Sequence, residues 1–319
     1  MSIPRLVAAM LPVGLLFLGT GVASGQDYPS KTIRILTGSV GGGNDTVSRL
    51  IAQGISGPLG QQVIVENRPP LITTETAAKA PPDGYTLMVH GGAVWILPLL
   101  QKVGYDVPRD FAPITQISRE VFVVAVHPSL PAKSIKELIA LAKARPGELN
   151  YAATTPGGSI SLSTALFRSL AGINIQAIPY TGNGPALTAV VSGEVQLIIV
   201  DAGATAPHEK AGRLRALAVT SAAPSALAPG LPTVAASGVL GYEATGMTVM
   251  FAPAKTPAAI IARLNQEIVR FLNRAEVKER FLNTGAEIVA SSPEQFAAAV
   301  KSDIAKWEKV IKDLGLKVN

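Results

Sequence analysis

The chain has no cysteine, three histidines, two tryptophans and only 5% aromatic residues among its 319 positions. Each shortage removes a class of function. Without cysteine there can be neither a disulfide nor a lipoprotein anchor. His90, His127 and His208 lie far apart, and none stands in a metal-ligand spacing such as HExxH, so neither a metal nor a cofactor is expected. Each reads as a surface or strand-end histidine. No G-x-S-x-G elbow is present to activate Ser159 or another serine, and no Walker A sequence occurs. Gly41-Gly42-Gly43 does not extend to G-x-G-x-x-G. Aspartates and glutamates do not pair as acid and base, so there is no catalytic set and the chain is not expected to be an enzyme. Lysines and arginines are scattered with few aromatics beside them, which argues against a nucleic-acid surface.

What is present starts at the N-terminus. Arg5 is the only charge before Asp27, and Leu6 to Val22 is almost wholly apolar, broken by Pro12 and Gly14. Ala23-Ser24-Gly25 follows with small residues where a signal peptidase reads. This pattern predicts a secretory signal peptide over residues 1–25, removed to leave Gln26 first. The run is shorter than a membrane span of ~20 residues, and nothing later resembles one. The mature protein is expected to be free in a bacterial periplasm, not embedded in the membrane.

Strand-like and helix-like patterns then alternate. Strands are predicted at Thr32–Thr37, Val63–Glu66, Thr86–Val89, Val121–Val126 and Leu149–Ala152, and again at Ile175–Pro179, Val195–Val200, Leu214–Thr220 and Thr248–Ala252. Ser134 with Glu137 forms a capping box ahead of the stripe Ile135, Leu138, Ile139 and Ala142. Ser292-Pro293-Glu294-Gln295 opens the last helix. The alternation predicts an α/β protein with mainly parallel sheets. Residues 26–319 are long enough for two domains.

Two loops stand out. Ser39-Val40-Gly41-Gly42-Gly43 joins a predicted strand to a predicted helix, and Thr154-Thr155-Pro156-Gly157-Gly158-Ser159 does the same about a hundred residues later. A helix start offers unpaired backbone N–H donors and partial positive charge, and glycines let an anion approach closely. Each loop reads as a seat for a carboxylate or phosphate, or else as a tight turn holding only water. Two seats could face each other across a cleft between domains.

Several short signatures recur in a specific order. They include Asp27-Tyr28-Pro29, Gly42-Gly43-Asn44-Asp45, Leu59-Gly60-Gln61-Gln62 and Val65-Glu66-Asn67-Arg68-Pro69. Pro82-Asp83-Gly84-Tyr85, Pro179-Tyr180-Thr181-Gly182, Leu231-Pro232-Thr233 and Ala252-Pro253-Ala254-Lys255-Thr256-Pro257 follow. In this order the chain resembles the extracytoplasmic solute receptors of tripartite tricarboxylate transporters, the Bug proteins, from Gln26 to Asn319.

The resemblance implies a two-domain periplasmic binding protein of the type II-like, Venus flytrap kind, with two strands crossing between domains. Domain one would be residues 26–124 and 250–319, and domain two 125–249. The implied ligand is a small carboxylate, and the implied partners are permease subunits of such a transporter, with the receptor itself a monomer. Carried onto this chain, the binding loops would be Ser39, Gly41, Gly42 and Asp45 facing Thr155, Gly157, Gly158 and Ser159, with Gly182, Asp201 and Ala202 completing the wall. A carboxylate repels an anionic ligand, so Asp45 reads better as a brace for its own loop. Asp201 could accept a hydrogen bond from a ligand hydroxyl or amine, or simply end its strand.

The sequence departs from the family pattern in three places. Leu71 and Ile72 stand where a glycine-rich loop often borders the pocket, which would suit an aromatic or weakly polar carboxylate. Ser161 and Ala165 replace a usual histidine and glutamate, and Met247 replaces a common aromatic. A periplasmic sensor feeding a two-component system is the alternative to a transport receptor.

Overall fold

Apolar runs of four to six residues, each followed by an amphipathic stretch, fold into the α/β alternation their periodicity predicts. The computed structural model describes residues 28–154 and 158–314. The predicted signal peptide, Thr155 and Gly157 lie outside them.

In chain order the elements are β1 (Ile33–Thr37), α1 (Gly43–Leu59), β2 (Val63–Asn67), α2 (Pro70–Ala78), β3 (Thr86–Gly91), α3 (Ala93–Leu100) and α4 (Val107–Asp110). A long strand, β4 (Phe111–Val126), leads to α5 (Ile135–Ala144), β5 (Asn150–Ala153), α6 (Ser159–Ala171) and β6 (Gln176–Pro179). Next come α7 (Asn183–Val191), β7 (Leu197–Asp201), α8 (Ala202–Lys210) and β8 (Arg215–Val219). The chain ends through β9 (Thr245–Pro253), α9 (Ala258–Leu272), α10 (Ala275–Asn283), β10 (Ala286–Ile288) and α11 (Pro293–Leu314).

Strand β4 is the spine. Its first part, Phe111 to Val121, pairs antiparallel with β9, and Ser118 to Glu120 also pair with β10. From Phe122 to Val126 it pairs instead with β7, and from Val123 to Val126 with β8 as well. The chain returns at β9, where Ala244 donates its N–H to the Thr220 carbonyl and Thr245 opposes Val121. Two strands therefore carry the chain between two lobes, as the resemblance implied. The sheet is mixed rather than mainly parallel. β1–β2, β1–β3, β5–β6 and β5–β7 are parallel, whereas every pairing of β4 and β9 is antiparallel. The two connecting strands run against their neighbours because the second carries the chain back.

Helix α9 shows why the first lobe holds together. Ile261, Leu264, Ile268, Phe271 and Leu272 recur at three- and four-residue spacing, and all are buried. Burying one such side chain contributes roughly 1.5–3 kcal/mol. They pack with Ile33, Ile35, Ile51 and Leu87 from β1, α1 and β3. The second lobe has its own cluster around Val123, Ala186, Val190, Ile198 and Val200. A third cluster spans both lobes through β4 and α11, joining Trp95, Phe251 and Trp307 to Phe122, Leu138 and Phe167. Within it the buried Asp303 carboxylate accepts both indole N–H groups, from Trp95 at 2.8 Å and Trp307 at 3.1 Å, and pairs with Lys306 at 2.7 Å. That polar knot fixes α11 against α3.

Candidate functional site

Parallel strands β1 and β3 of one lobe and β5 and β7 of the other end toward each other between the lobes, and each of the four is followed by a helix. Strand ends of this kind are where open α/β sheets bind ligands, because the following helices point their N-termini there. A cavity of about 360 Å³ lies at these ends. Gly43 and Asn44 of α1 and Gly91-Gly92-Ala93 at the start of α3 line one wall. Thr154, Gly158, Ser159 and Ile160 before and within α6, with Asn183 of α7, line the other. Glu120 and Phe122 of β4, Asp201 at the end of β7, and Gly246-Met247-Thr248 of β9 complete the lining.

The first loop is held from behind. Gly41 sits at φ +78°, a left-handed conformation that costs glycine little. Its N–H donates to Asp45 Oδ2 at 2.9 Å. Asp45 Oδ1 accepts from Asn67 Nδ2 at 2.9 Å and pairs with Arg49 at 3.0 Å. Asp45 is only 3% exposed. The Gly41 N–H, with help from Asn67 and Arg49, holds its carboxyl below the usual carboxylate range despite burial. Asp45 thus shapes the loop, as the repulsion argument indicated, and it is not part of the cavity lining.

The helix starts around the cavity share one feature. α1 begins on Gly42 at φ −75°, ψ 165°, and α6 on Gly158 at φ −74°, ψ 158°. α3 and α7 begin on Gly92 and Gly182. None of these four N-caps makes a side-chain bond to the first turn. The first-turn N–H groups have no intrahelical partner, and the helix dipoles place positive potential at the same end. Four such starts converging on one cavity make a strong anion seat built from backbone alone.

The side chains carry the opposite sign. Among the described residues, the lining holds no lysine, arginine or histidine but two acids, Glu120 and Asp201. Glu120 Oε1 accepts from Thr248 Oγ1 at 2.7 Å and Ser118 Oγ at 3.1 Å. Burial pushes its carboxyl up to about 7 against those two bonds, and the charge of Asp201 adds to the rise. Burial also raises Asp201, opposed by the Asn183 amide that donates to its Oδ2 at 3.3 Å.

Of the residues anticipated from sequence, Gly158, Ser159 and Asp201 line the cavity. Ser39, Gly41 and Gly42 form the loop just before it, and the lining begins at Gly43. Gly182 caps α7, whose next residue Asn183 lines the cavity, while Ala202 is buried in the core of the second lobe. Leu71 and Ile72 require correction. Pro70 at the helix start extends the chain into α2 instead of a loop, leaving them 38% and 46% exposed on its first turn and outside the lining. They therefore give no ground for a weakly polar ligand. Met247 does reach the cavity, from within β9. The sequence reading missed Glu120, Asn183, Thr248 and the Gly91-Gly92 turn. Glu120 escaped because the strand was begun at Val121, although it is the lone acid at the head of a six-residue apolar run.

No group of three His, Cys, Asp or Glu side chains among the described residues is placed to hold a metal ion. No helix among them is long and apolar enough to cross a membrane.

Residues 47–316 match the family described as the tripartite tricarboxylate transporter family receptor. The chain is 33% identical to BugT of Bordetella pertussis over the full length of both proteins. It is similar in structure to an R. palustris protein solved with adipate, at 35% identity and a TM-score of 0.79, covering 91% of this chain and 99% of the other. MatC from Rhodopseudomonas palustris, solved with bound malate, is 28% identical with a TM-score of 0.75, covering 89% of this chain and 100% of MatC.

Proposed function

This chain belongs to the tripartite tricarboxylate transporter receptor family, and from that premise we propose that it captures a small carboxylate between its lobes and delivers it to a membrane permease. The observation that carries the reading is the convergence of four glycine-capped helix starts on one interlobe cavity. Backbone N–H groups at Gly43 and Asn44 on one side, and at Ser159 and Ile160 on the other, are the proposed contacts. The adipate and malate bound by two relatives support a carboxylate ligand. We take the lobes as residues 28–121 with 245–314, and 122–244, within a few residues of the boundaries read from sequence. Residues 1–25 are proposed to direct the protein to the periplasm, where it acts as a monomer. Capture is proposed to be followed by release rather than chemistry, in keeping with a family of transporter receptors.

A thermal-shift screen of the secreted protein against mono- and dicarboxylates, adipate and malate included, tests this reading. A ligand that binds only the folded state adds about 2.7 kcal/mol at a hundredfold excess over Kd. For a chain of this size the melting temperature should rise by roughly 4–8 °C. Scattering should show a smaller radius of gyration as the lobes close. No stabilisation by any carboxylate, or conversion of one into product, would defeat the proposal.

A further inference from the structure

A cavity built by its backbone to hold an anion has two carboxyls in its lining and no basic side chain among the described residues. A plain dicarboxylate would bring two further negative charges against them, and like charges in a poorly solvated cleft repel strongly. Something in the ligand must answer Glu120 and Asp201.

Their placement is specific. Phe122 stands directly opposite Asp201 in the β4–β7 register. Glu120, two residues earlier on β4, shares the face of Phe122, so the two acids are diagonal neighbours on one face. Across β4, Gly246 of β9 opposes Glu120, and a Cβ there would lie 2.5 Å from Glu120 Oε2. Any other residue at 246 would occupy the room beside that oxygen. Glu120 Oε1 is already engaged by the Thr248 and Ser118 hydroxyls. Neither acid has a counter-ion among the described residues. The neighbouring Arg119 is spent on Glu287 at 2.7 Å. The subsite therefore holds acceptor capacity and negative charge that the protein leaves unanswered.

Resting on the receptor reading above, we propose that Glu120 and Asp201 select a ligand that carries an ammonium group as well as a carboxylate. The carboxylate sits on the helix starts, and the ammonium sits between the two acids, where it supplies the missing positive charge and up to three donors. The ligand class is a zwitterionic amino acid or amino diacid rather than a plain diacid.

The pH dependence has a definite sign. Ammonium binding needs Glu120 ionised, and its carboxyl is pushed up to about 7. Affinity should therefore fall as pH drops from 8 to 6, while the ammonium of the ligand stays charged. Other ionisable groups nearby do not reverse this sign. Asp201 is the one titratable group facing Glu120 from β7, and β9 and α1 bring only Gly246, Met247, Thr248 and Asn44. Glu287 of β10 is engaged by Arg119 and Ser225, and burial pushes the His90 imidazole, near the end of β3, below its usual range.

Calorimetry with two matched pairs, adipate against 2-aminoadipate and malate against aspartate, tests the proposal. Wild-type protein should bind at least one aminated member tenfold or more tighter than its partner, with affinity falling on acidification. Glu120→Gln should abolish that preference while circular dichroism shows an unchanged fold, and Asp201→Asn should reduce it independently. Equal or weaker binding of both aminated members, or affinity that rises toward pH 6, overturns the subsite and leaves the receptor reading standing. Failure of all four compounds to bind overturns the subsite, and the receptor reading falls with it only if no carboxylate in the thermal-shift screen stabilises the protein.

Discussion

Four helices that begin at the cleft and three that begin at the periphery are started differently. α1, α3, α6 and α7 open on Gly42, Gly92, Gly158 and Gly182, with no side-chain bond to the first turn. α4 opens on Asp106 and α5 on Ser134, whose side chains accept from Arg109 and Glu137. At α11, Ser292 and Gln295 bond reciprocally, at 3.2 and 3.0 Å. A glycine in place of a capping side chain sacrifices only a few tenths of a kcal/mol, whereas it leaves the first-turn donors open. α2, α9 and α10 also lack a side-chain cap, but they open on Pro69, Pro257 and Arg274 rather than on glycine. α4, α5 and α11 thus satisfy their starts internally, and the glycine-started helices of the cleft leave theirs open. The same contrast separates the braced loop before α1 from the open lining that follows it.

The sharpest way to break this contrast is to give a cleft helix the cap it lacks. Gly158→Asp fits the observed φ −74°, ψ 158° and would place a carboxylate on the N–H groups meant for the ligand. Carboxylate affinity should fall by more than about a hundredfold, which corresponds to roughly 2.7 kcal/mol, while the melting temperature holds or rises slightly. Calorimetry paired with thermal denaturation reads both quantities. Unchanged affinity would remove α6 from the site.

Removing the brace is next in size. Asp45→Ala strands the Gly41 N–H, the Asn67 amide and the Arg49 guanidinium, and should lower stability by about 2 kcal/mol and weaken binding together. Because Arg49 is half exposed, the ion pair itself contributes the smaller share. The carboxyl of Asp45 is lowered in the folded state. Its stabilisation is therefore complete above the unfolded aspartate value of about 4 and is lost as pH falls through the lower folded value. Urea titrations should show the wild-type advantage over Asp45→Ala shrinking only in that acid window. An advantage that shrinks between pH 6 and 8 would mean that another group was responsible.

The smallest effect is expected at the periphery. Ser134→Ala removes the α5 cap and should cost about 1 kcal/mol of stability with carboxylate affinity unchanged. A change in affinity would blur the distinction between the two kinds of helix start.

Much of this was legible in the sequence, for identifiable reasons. Strands such as Ile33–Thr37 and Leu197–Asp201 are dense in β-branched and apolar residues and bounded by turn residues, so period and punctuation agree. The glycine loops announced themselves because few other devices put three glycines between a strand and a helix. Other features have no local signature. The first ten residues of β4, Phe111 to Glu120, include Pro113, Thr115, Gln116, Ser118 and Arg119, and become strand only because β9 and β10 pair with them from far along the chain. Glu120 entered the site with that strand and was invisible without it. Leu71 and Ile72 misled for the opposite reason, since a family position was carried over although Pro69-Pro70 starts a helix here.

A crystal structure of the protein with a bound amino diacid or dicarboxylate tests the central claim most directly. Carboxylate oxygens of the ligand should lie within hydrogen-bonding distance of backbone N–H groups at Gly43–Asn44 and at Ser159–Ile160, bridging the two lobes. A carboxylate held instead by lysine or arginine side chains, or on one lobe alone with the glycine-capped helix starts facing only water, would contradict it.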